Sequence, residues 1–189
     1  MKKVVIFASG SGTNAENIVL QLKKSCQGNV VAIFTNNPNA KVLERAKKYN
    51  IPTQIFNKTE LSDGFVLDKI NLLQPDLIVL AGFLLKFPES IIKHFPNKVI
   101  NIHPALLPKY GGKGMYGMHV HRAVLENKEK ETGITIHYVN ENYDEGEFIF
   151  QKSVSIIDCK TADEIAGKIH NLEIENFPIV IEKLITHNS

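Results

Sequence analysis

Three short apolar runs, at residues 4–8, 30–34 and 77–81, are bounded by turn residues and separated by segments of helical periodicity. Continuous apolar strands of this length are buried on both faces, which is how a parallel sheet covered by helices reads. The first helix is predicted to begin near Thr13 or Asn14, with Ile18, Val19 and Leu22 on one face, Lys23 and Lys24 at its carboxyl end and Gly28 as its stop. A shorter helix over residues 41–49 ends at Asn50-Ile-Pro52, and a strand at 54–56 and a helix at 65–73 lead through Gln74-Pro75 into the run at 77–81. Right-handed crossovers between such strands make the first half a mononucleotide-binding layout.

The second half changes period. Ile134, Ile136 and Tyr138 alternate with Thr135, His137 and Val139, and residues 147–157 follow after a short turn, predicting an antiparallel pair. Thr161-Ala-Asp-Glu164 is a capping-box pattern for a last helix, which Pro178 is expected to kink or restart. The expected fold is therefore α/β: a Rossmann-like, mostly parallel sheet flanked by helices, with an antiparallel strand pair added in the C-terminal half.

A chain of 189 residues suffices for one substantial domain, expected to span 1–189 with a phosphate-binding half over about 1–97 and a catalytic half over about 98–189. Lysine plus arginine number 22 against 20 acids, and the charges are scattered, so no footprint for a nucleic-acid backbone is expected. The first apolar run stops too early for a secretory signal and no run is long enough for a membrane span. A cytoplasmic protein with no membrane partner is expected. Cys26 and Cys159 have no spacing that suggests a metal or a disulfide and read as free thiols.

Directly after the first run comes Ala8-Ser-Gly10-Ser-Gly12-Thr-Asn14. Small residues there leave backbone amides free at a helix amino terminus, where the macrodipole favours an anion, so a phosphate is the expected ligand. It is not a P-loop, lacking the closing Gly-Lys-Ser/Thr. Nor is it a full dinucleotide fingerprint, because Ala15 stands in place of the third glycine and Thr35-Asn36-Asn37 carries no acid. A nicotinamide cofactor is disfavoured.

The second chemical segment is Asn101-Ile-His-Pro-Ala-Leu-Leu-Pro108, after the apolar Lys98-Val-Ile100. Asn101 and His103, two residues apart, point to the same side of the pleat, so a carboxamide and an imidazole can converge on one oxyanion. Asp144, in the turn Asn142-Tyr-Asp144-Glu-Gly146, is placed to orient the imidazole and raise its pKa. The plainer alternative makes Asn101 a turn residue, His103 a satisfied polar group and Asp144 a turn cap. His119 and His121 alternate and could join His103 on a metal, but no acidic ligand accompanies them and no metal is expected. His137 faces opposite Ile136 and could border the site or lie at the surface. No serine or cysteine nucleophile stands out, so direct attack on a bound acyl group fits best.

With these segments in this order, the chain resembles the folate-dependent formyltransferases that act on glycinamide ribonucleotide in purine synthesis. The resemblance runs from Lys3 to about Ile185 and rests on Ser9-Gly10-Ser-Gly12-Thr-Asn14, Leu80-Ala-Gly82-Phe, residues 101–110 and Asp144-Glu-Gly146. It implies Asn101, His103 and Asp144 as catalytic trio, Gly12, Thr13 and Asn14 on the substrate phosphate, and Glu173 on the ribose. It further implies 10-formyltetrahydrofolate as co-substrate, its pterin held by Leu84, Leu85, Lys86 and Phe87 with the loop from Asn140 and Glu141 to Asp144. The family pattern often places an arginine before the strand at 77; residues 56–73 have none, and Lys58 is the nearest cation. The glycine-dense loop over 110–120 looks long and is expected to fold over the folate or serve an interface.

Relatives that share the core include methionyl-tRNA formyltransferase and formyltetrahydrofolate deformylase. The expected extra domain of either finds no room in 189 residues. Formyltetrahydrofolate hydrolysis remains the enzymatic alternative, and a non-catalytic nucleotide-binding module using residues 10–14 is the alternative from another class. Small-molecule substrates, and a monomer or homodimer, complete the expectation.

Overall fold

A computed structural model describes residues 1–187. Along the chain run β1 (Lys2–Phe7), α1 (Thr13–Ser25), β2 (Gly28–Thr35), α2 (Val42–Lys48), β3 (Thr53–Ile55), α3 (Lys58–Ser62) and α4 (Phe65–Leu73). There follow β4 (Leu77–Leu80), α5 (Glu89–His94), β5 (Val99–His103), α6 (Met118–Glu126), β6 (Glu131–Tyr138), β7 (Phe148–Ser155) and α7 (Ala162–His187). The strands form one 7-stranded sheet in the order β3-β2-β1-β4-β5-β6-β7. Pairings from β3 to β5 are parallel, whereas β5–β6 and β6–β7 are antiparallel, as the change of hydrophobic period implies.

Period-two alternation along β1 sorts its side chains between two layers. Val4 and Ile6 pack with Ile18, Leu22, Val120, Ile169 and Ile181 under α1, α6 and α7, while Val5 and Phe7 pack with Phe34, Leu61, Ile70 and Ile91 under α3, α4 and α5. Phe7 is fully buried and stacks on Phe34 with ring centroids 4.9 Å apart; truncating such a ring to alanine costs about 3–5 kcal/mol.

Strand order places the site. After β1 the chain moves outward to β2 and β3, and β4 returns on the other side of β1, so the crossovers diverge at the carboxyl ends of β1 and β4. A crevice opens where neighbouring connections part, and ligands bind there in open α/β sheets. The loops on its two sides are tied together: the Ser9 amide donates to the Gly82 carbonyl at 3.0 Å and the Leu84 amide to the Ser9 hydroxyl at 3.1 Å.

Two expectations about elements change. α3 and α5, of 5 and 6 residues, were not foreseen as helices, and α7 runs through Pro178 as one element instead of restarting there. The proline removes only one backbone donor. Phe177, Ile181 and Ile185, all buried against the core, hold the helix on either side of it.

Candidate active site

The crevice is a cleft of about 800 Å³ lined from four directions: residues 10–14 after β1, 80–87 after β4, the end of β5 with the segment 112–117, and the 139–144 turn with one face of α7. Its first wall is backbone. Gly12 caps α1 with φ 73°, and no side chain caps the helix, so the amides of the first turn stay available to an anion. A Cβ on Gly12 would stand 2.4 Å from Val42 Cγ2, so glycine is required by both conformation and space.

That loop is pinned through Ser9 and Ser11 by residues to which the sequence assigned no role. Ser9 Oγ donates to Asn36 Oδ1 at 2.6 Å, Asn37 Nδ2 donates to the Ser9 carbonyl at 3.4 Å, and Arg45 Nε donates to the Ser11 carbonyl at 2.8 Å. Glu16, the acid in the first turn of α1, is drawn away by ion pairs with Arg45 and Lys48 and by the Tyr49 hydroxyl. The asparagines that stand where a dinucleotide-binding acid would be therefore serve the loop itself.

Asn14 turns its side chain across the cleft: Nδ2 donates to Glu173 Oε2 at 2.8 Å, joining α1 to α7. Glu173 also lies 3.7 Å from His170 Nδ1, and its hydrogen bond holds the His170 pKa above the usual histidine value, against the opposing pull of burial. His170 lines the cleft beside the anion loop, a placement visible only once α7 is wound. Asn14 Oδ1 and His121 Nδ1, both buried, have no hydrogen-bond partner among the described residues.

The opposite wall is made of side chains. On β5, Ile100 and Ile102 face the layer under α1 and α7, so Asn101 and His103 stand together on the other side, the side of Val99. β6 lies antiparallel beside them, with Asn101 opposite His137. His137 is buried. The Tyr138 carbonyl can only accept, so His137 Nδ1 carries a proton and donates to it at 2.9 Å, leaving Nε2 to accept from Asn101 Nδ2 at 3.2 Å. The second N–H of that carboxamide remains for a ligand.

His103, 3% exposed, donates from Nε2 to the Tyr110 carbonyl at 2.7 Å. Its Nδ1 lies 3.6 Å from Asp144 Oδ2, and Asp144 Oδ1 lies 3.6 Å from His137 Nε2. Asp144 also accepts from the Gly112 amide at 2.9 Å. The carboxylate thus sits between two imidazoles and a backbone donor. Burial works to raise its pKa, but the Gly112 N–H and the two neighbouring imidazoles, whenever a ring is protonated toward it, hold it below the ordinary carboxylate range. Its turn closes tightly on β6, because a Cβ on Gly146 would lie 1.7 Å from the Tyr138 carbonyl oxygen.

One electrostatic expectation reverses. Asp144 and the Tyr110 carbonyl do push the His103 pKa up, but burial is the larger effect and leaves it below the usual histidine value. Sequence spacing finds the partner and misses the dry surroundings.

The folate-side residues divide. Leu84, Leu85, Lys86, Phe87 and Asn140 line the cleft, and Glu141 does not, its charge lying near Lys93. Leu84–Phe87 lies before position 98, so this wall draws on both halves of the chain. Lys58 begins α3, away from the cleft walls, and the lysines that do line them are Lys86 and Lys113. The segment 112–117 forms part of the wall next to His121. His119 is exposed and packs on Tyr116, while His121 is buried one side of the helix away, so the alternating pair does not converge with His103. Among the described residues no group of three or more His, Cys, Asp or Glu side chains is arranged to hold a metal ion.

Comparison with known proteins gives a consistent answer. The family model described as formyl transferase matches residues 2–181. The chain is 35% identical to phosphoribosylglycinamide formyltransferase of Bacillus subtilis, covering 100% of this chain and 97% of that one. It is 38% identical to the chloroplastic phosphoribosylglycinamide formyltransferase of Arabidopsis thaliana over 97% of this chain and 67% of the relative. The crystal structure of phosphoribosylglycinamide formyltransferase from Bacillus halodurans superposes with a TM-score of 0.89 at 36% identity, covering 100% of this chain and 97% of that one.

Proposed function

The chain belongs to the formyl transferase family, and from that premise we propose that it carries a formyl group from 10-formyltetrahydrofolate to the amine of 5'-phosphoribosylglycinamide, a step of purine synthesis. The observation that carries this reading is one cleft with an uncapped helix terminus on one wall and Asn101, His103 and Asp144 gathered on another. A phosphate at Gly12, Thr13 and Asn14, with the ribose at Glu173, directs the glycinamide amine toward the trio. Leu84, Leu85, Lys86, Phe87 and Asn140 form the pterin wall, and Glu141 is left outside it.

The amine attacks the formyl carbon, a C–N bond forms, and the carbonyl oxygen becomes an oxyanion. The free N–H of Asn101 donates to it. His103 rests largely neutral at neutral pH, because burial disfavours its charge. The oxyanion growing beside it, together with Asp144, favours protonation at Nδ1, since Nε2 is committed to Tyr110. The proton shed by the attacking amine passes through Asp144 to His103 Nδ1, and as the old C–N bond breaks the same proton returns through Asp144 to the departing folate nitrogen. The charge on His103 is thus acquired during the reaction, which costs less than keeping an imidazolium in a dry site.

A cytoplasmic setting, one domain, no nucleic-acid or membrane partner, and a monomer or homodimer complete the reading; none of the described helices is long and apolar enough to cross a membrane. Optical measurement of formyl transfer with the purified protein tests it: appearance of tetrahydrofolate only with the phosphorylated acceptor supports it. Formate release without acceptor would instead indicate the hydrolase, and phosphate-ligand binding with neither product would indicate a binding module.

A further inference from the structure

Tyr110 and Glu129 do not line the cleft, yet they support its most sensitive contact. Tyr110 has φ 58°, a left-handed conformation that a tyrosine adopts only when its surroundings impose it. Its hydroxyl donates to Glu129 Oε1 at 2.9 Å, and Lys109 Nζ donates to the same oxygen at 3.0 Å. Glu129 is itself tied to the scaffold, its amide donating to the Val124 carbonyl at 3.3 Å just past α6. The turn so held does two things for the site. The Tyr110 carbonyl accepts from His103 Nε2 at 2.7 Å, and the Gly112 amide donates to Asp144 Oδ2 at 2.9 Å.

We propose that Glu129 and the Tyr110 phenol are positioning residues for the formyl-transfer chemistry: they clamp the one turn that fixes the His103 tautomer and aims the Asp144 carboxylate. This rests on the function proposed above and adds to it a part that no cleft residue supplies. A carbonyl oxygen cannot donate, so a clamped Tyr110 keeps the proton on Nε2 and presents Nδ1, the nitrogen that must take up charge, to Asp144. Once the clamp is released, the turn relaxes toward right-handed backbone and both contacts loosen together.

The test compares the wild-type protein with Tyr110→Phe, Glu129→Ala and the double variant, by nitrogen NMR of the imidazole rings and by steady-state kinetics. Tyr110→Phe keeps the ring, and the Glu129 side chain is partly exposed at 26%, so the pair covers the case in which one variant does not fold. The groups facing His103 are Asp144, His137, Glu173 and His121, and neither substitution alters them. Expected are an Nε2–H tautomer in the wild type, a growing Nδ1–H population in the variants, and a lower protonation midpoint for His103. Turnover should fall about three- to tenfold with KM for both substrates within about twofold, and the double variant should be no worse than the worse single one.

Folded variants with unchanged ring spectra and unchanged turnover would overturn the clamp. So would losses in turnover and KM that simply add in the double variant. A wild-type protein that transfers no formyl group would defeat the functional reading instead, and the ring spectra would still decide whether the clamp sets the tautomer.

Discussion

The two walls of the cleft are built by opposite means. The wall at the start of α1 presents backbone amides, and its side chains, Ser9, Asn36, Asn37 and Arg45, work behind the loop to hold it still. The wall on β5 and β6 presents buried side chains, each committed to a partner: Asn101 to His137, His103 to Tyr110, Asp144 to both imidazoles and Gly112. A backbone site recognises an anion by geometry that many sequences can support, and it fails when its shape changes. A side-chain site fails when one functional group is lost, because the partner left behind is buried and unpaired.

The sharpest way to break this contrast is Asn101→Ala. Removing one oxyanion donor should lower turnover about a hundredfold, about 3 kcal/mol of barrier, with KM for the phosphorylated substrate nearly unchanged. Asp144→Ala should act on turnover in the same sense. Steady-state kinetics on folded variants decides, and a KM effect with normal turnover would show that the β5 wall binds and does not catalyse.

The converse substitution is Gly12→Ala. With φ 73° and Val42 Cγ2 2.4 Å from the new methyl, the loop must deform, raising KM for the phosphorylated substrate about tenfold and costing about 1–2 kcal/mol of stability while turnover is largely kept. An unchanged KM would remove the anion site from this wall. Glu173→Gln sharpens the picture further, since it weakens the Asn14 anchor and, on the function proposed above, the hold on the ribose; a rise in KM of about fivefold, seen by titration of substrate, is expected.

The smallest effect is on stability against pH. His103 and His121 have pKa values pushed below the usual histidine value, chiefly by burial, so the folded protein binds their protons less readily than the unfolded chain. Their contribution is complete above about pH 6.5 and is lost as pH falls below it. His170, shifted upward, contributes in the opposite sense, fading as pH rises. In a His170→Asn background the urea midpoint should therefore decline between pH 7 and pH 5, and a flat or rising midpoint would contradict the buried, neutral state of the two imidazoles.

Much of this was legible in the sequence because it is local. α1 begins at Thr13 and α4 spans Phe65–Leu73, as periodicity predicts, and the change of strand direction follows the change from continuous to alternating apolar residues. Asn101 and His103 share a side because a strand has period two. What escaped depends on contacts distant in the chain or on elements too short to show a period. α3 did carry a capping box, Asn57 with Glu60, but only 5 residues of helix follow it. His137 gains meaning only when β6 pairs with β5, and His170 only when α7 folds against α1. The depressed His103 pKa comes from exclusion of water, which no spacing encodes.

Asn101 faces His137 and His103 faces Thr135 across the β5–β6 ladder, the same ladder that sends Ile100, Ile102, Ile134 and Ile136 into the core. Slipping β5 by a single position would move Ile100 and Ile102 to the opposite face of the sheet and carry Asn101 and His103 into the isoleucine layer at once. Misaligned chains are then both unstable and inert, so the specific activity of a refolded preparation counts correctly threaded molecules, with no half-active species to blur the count.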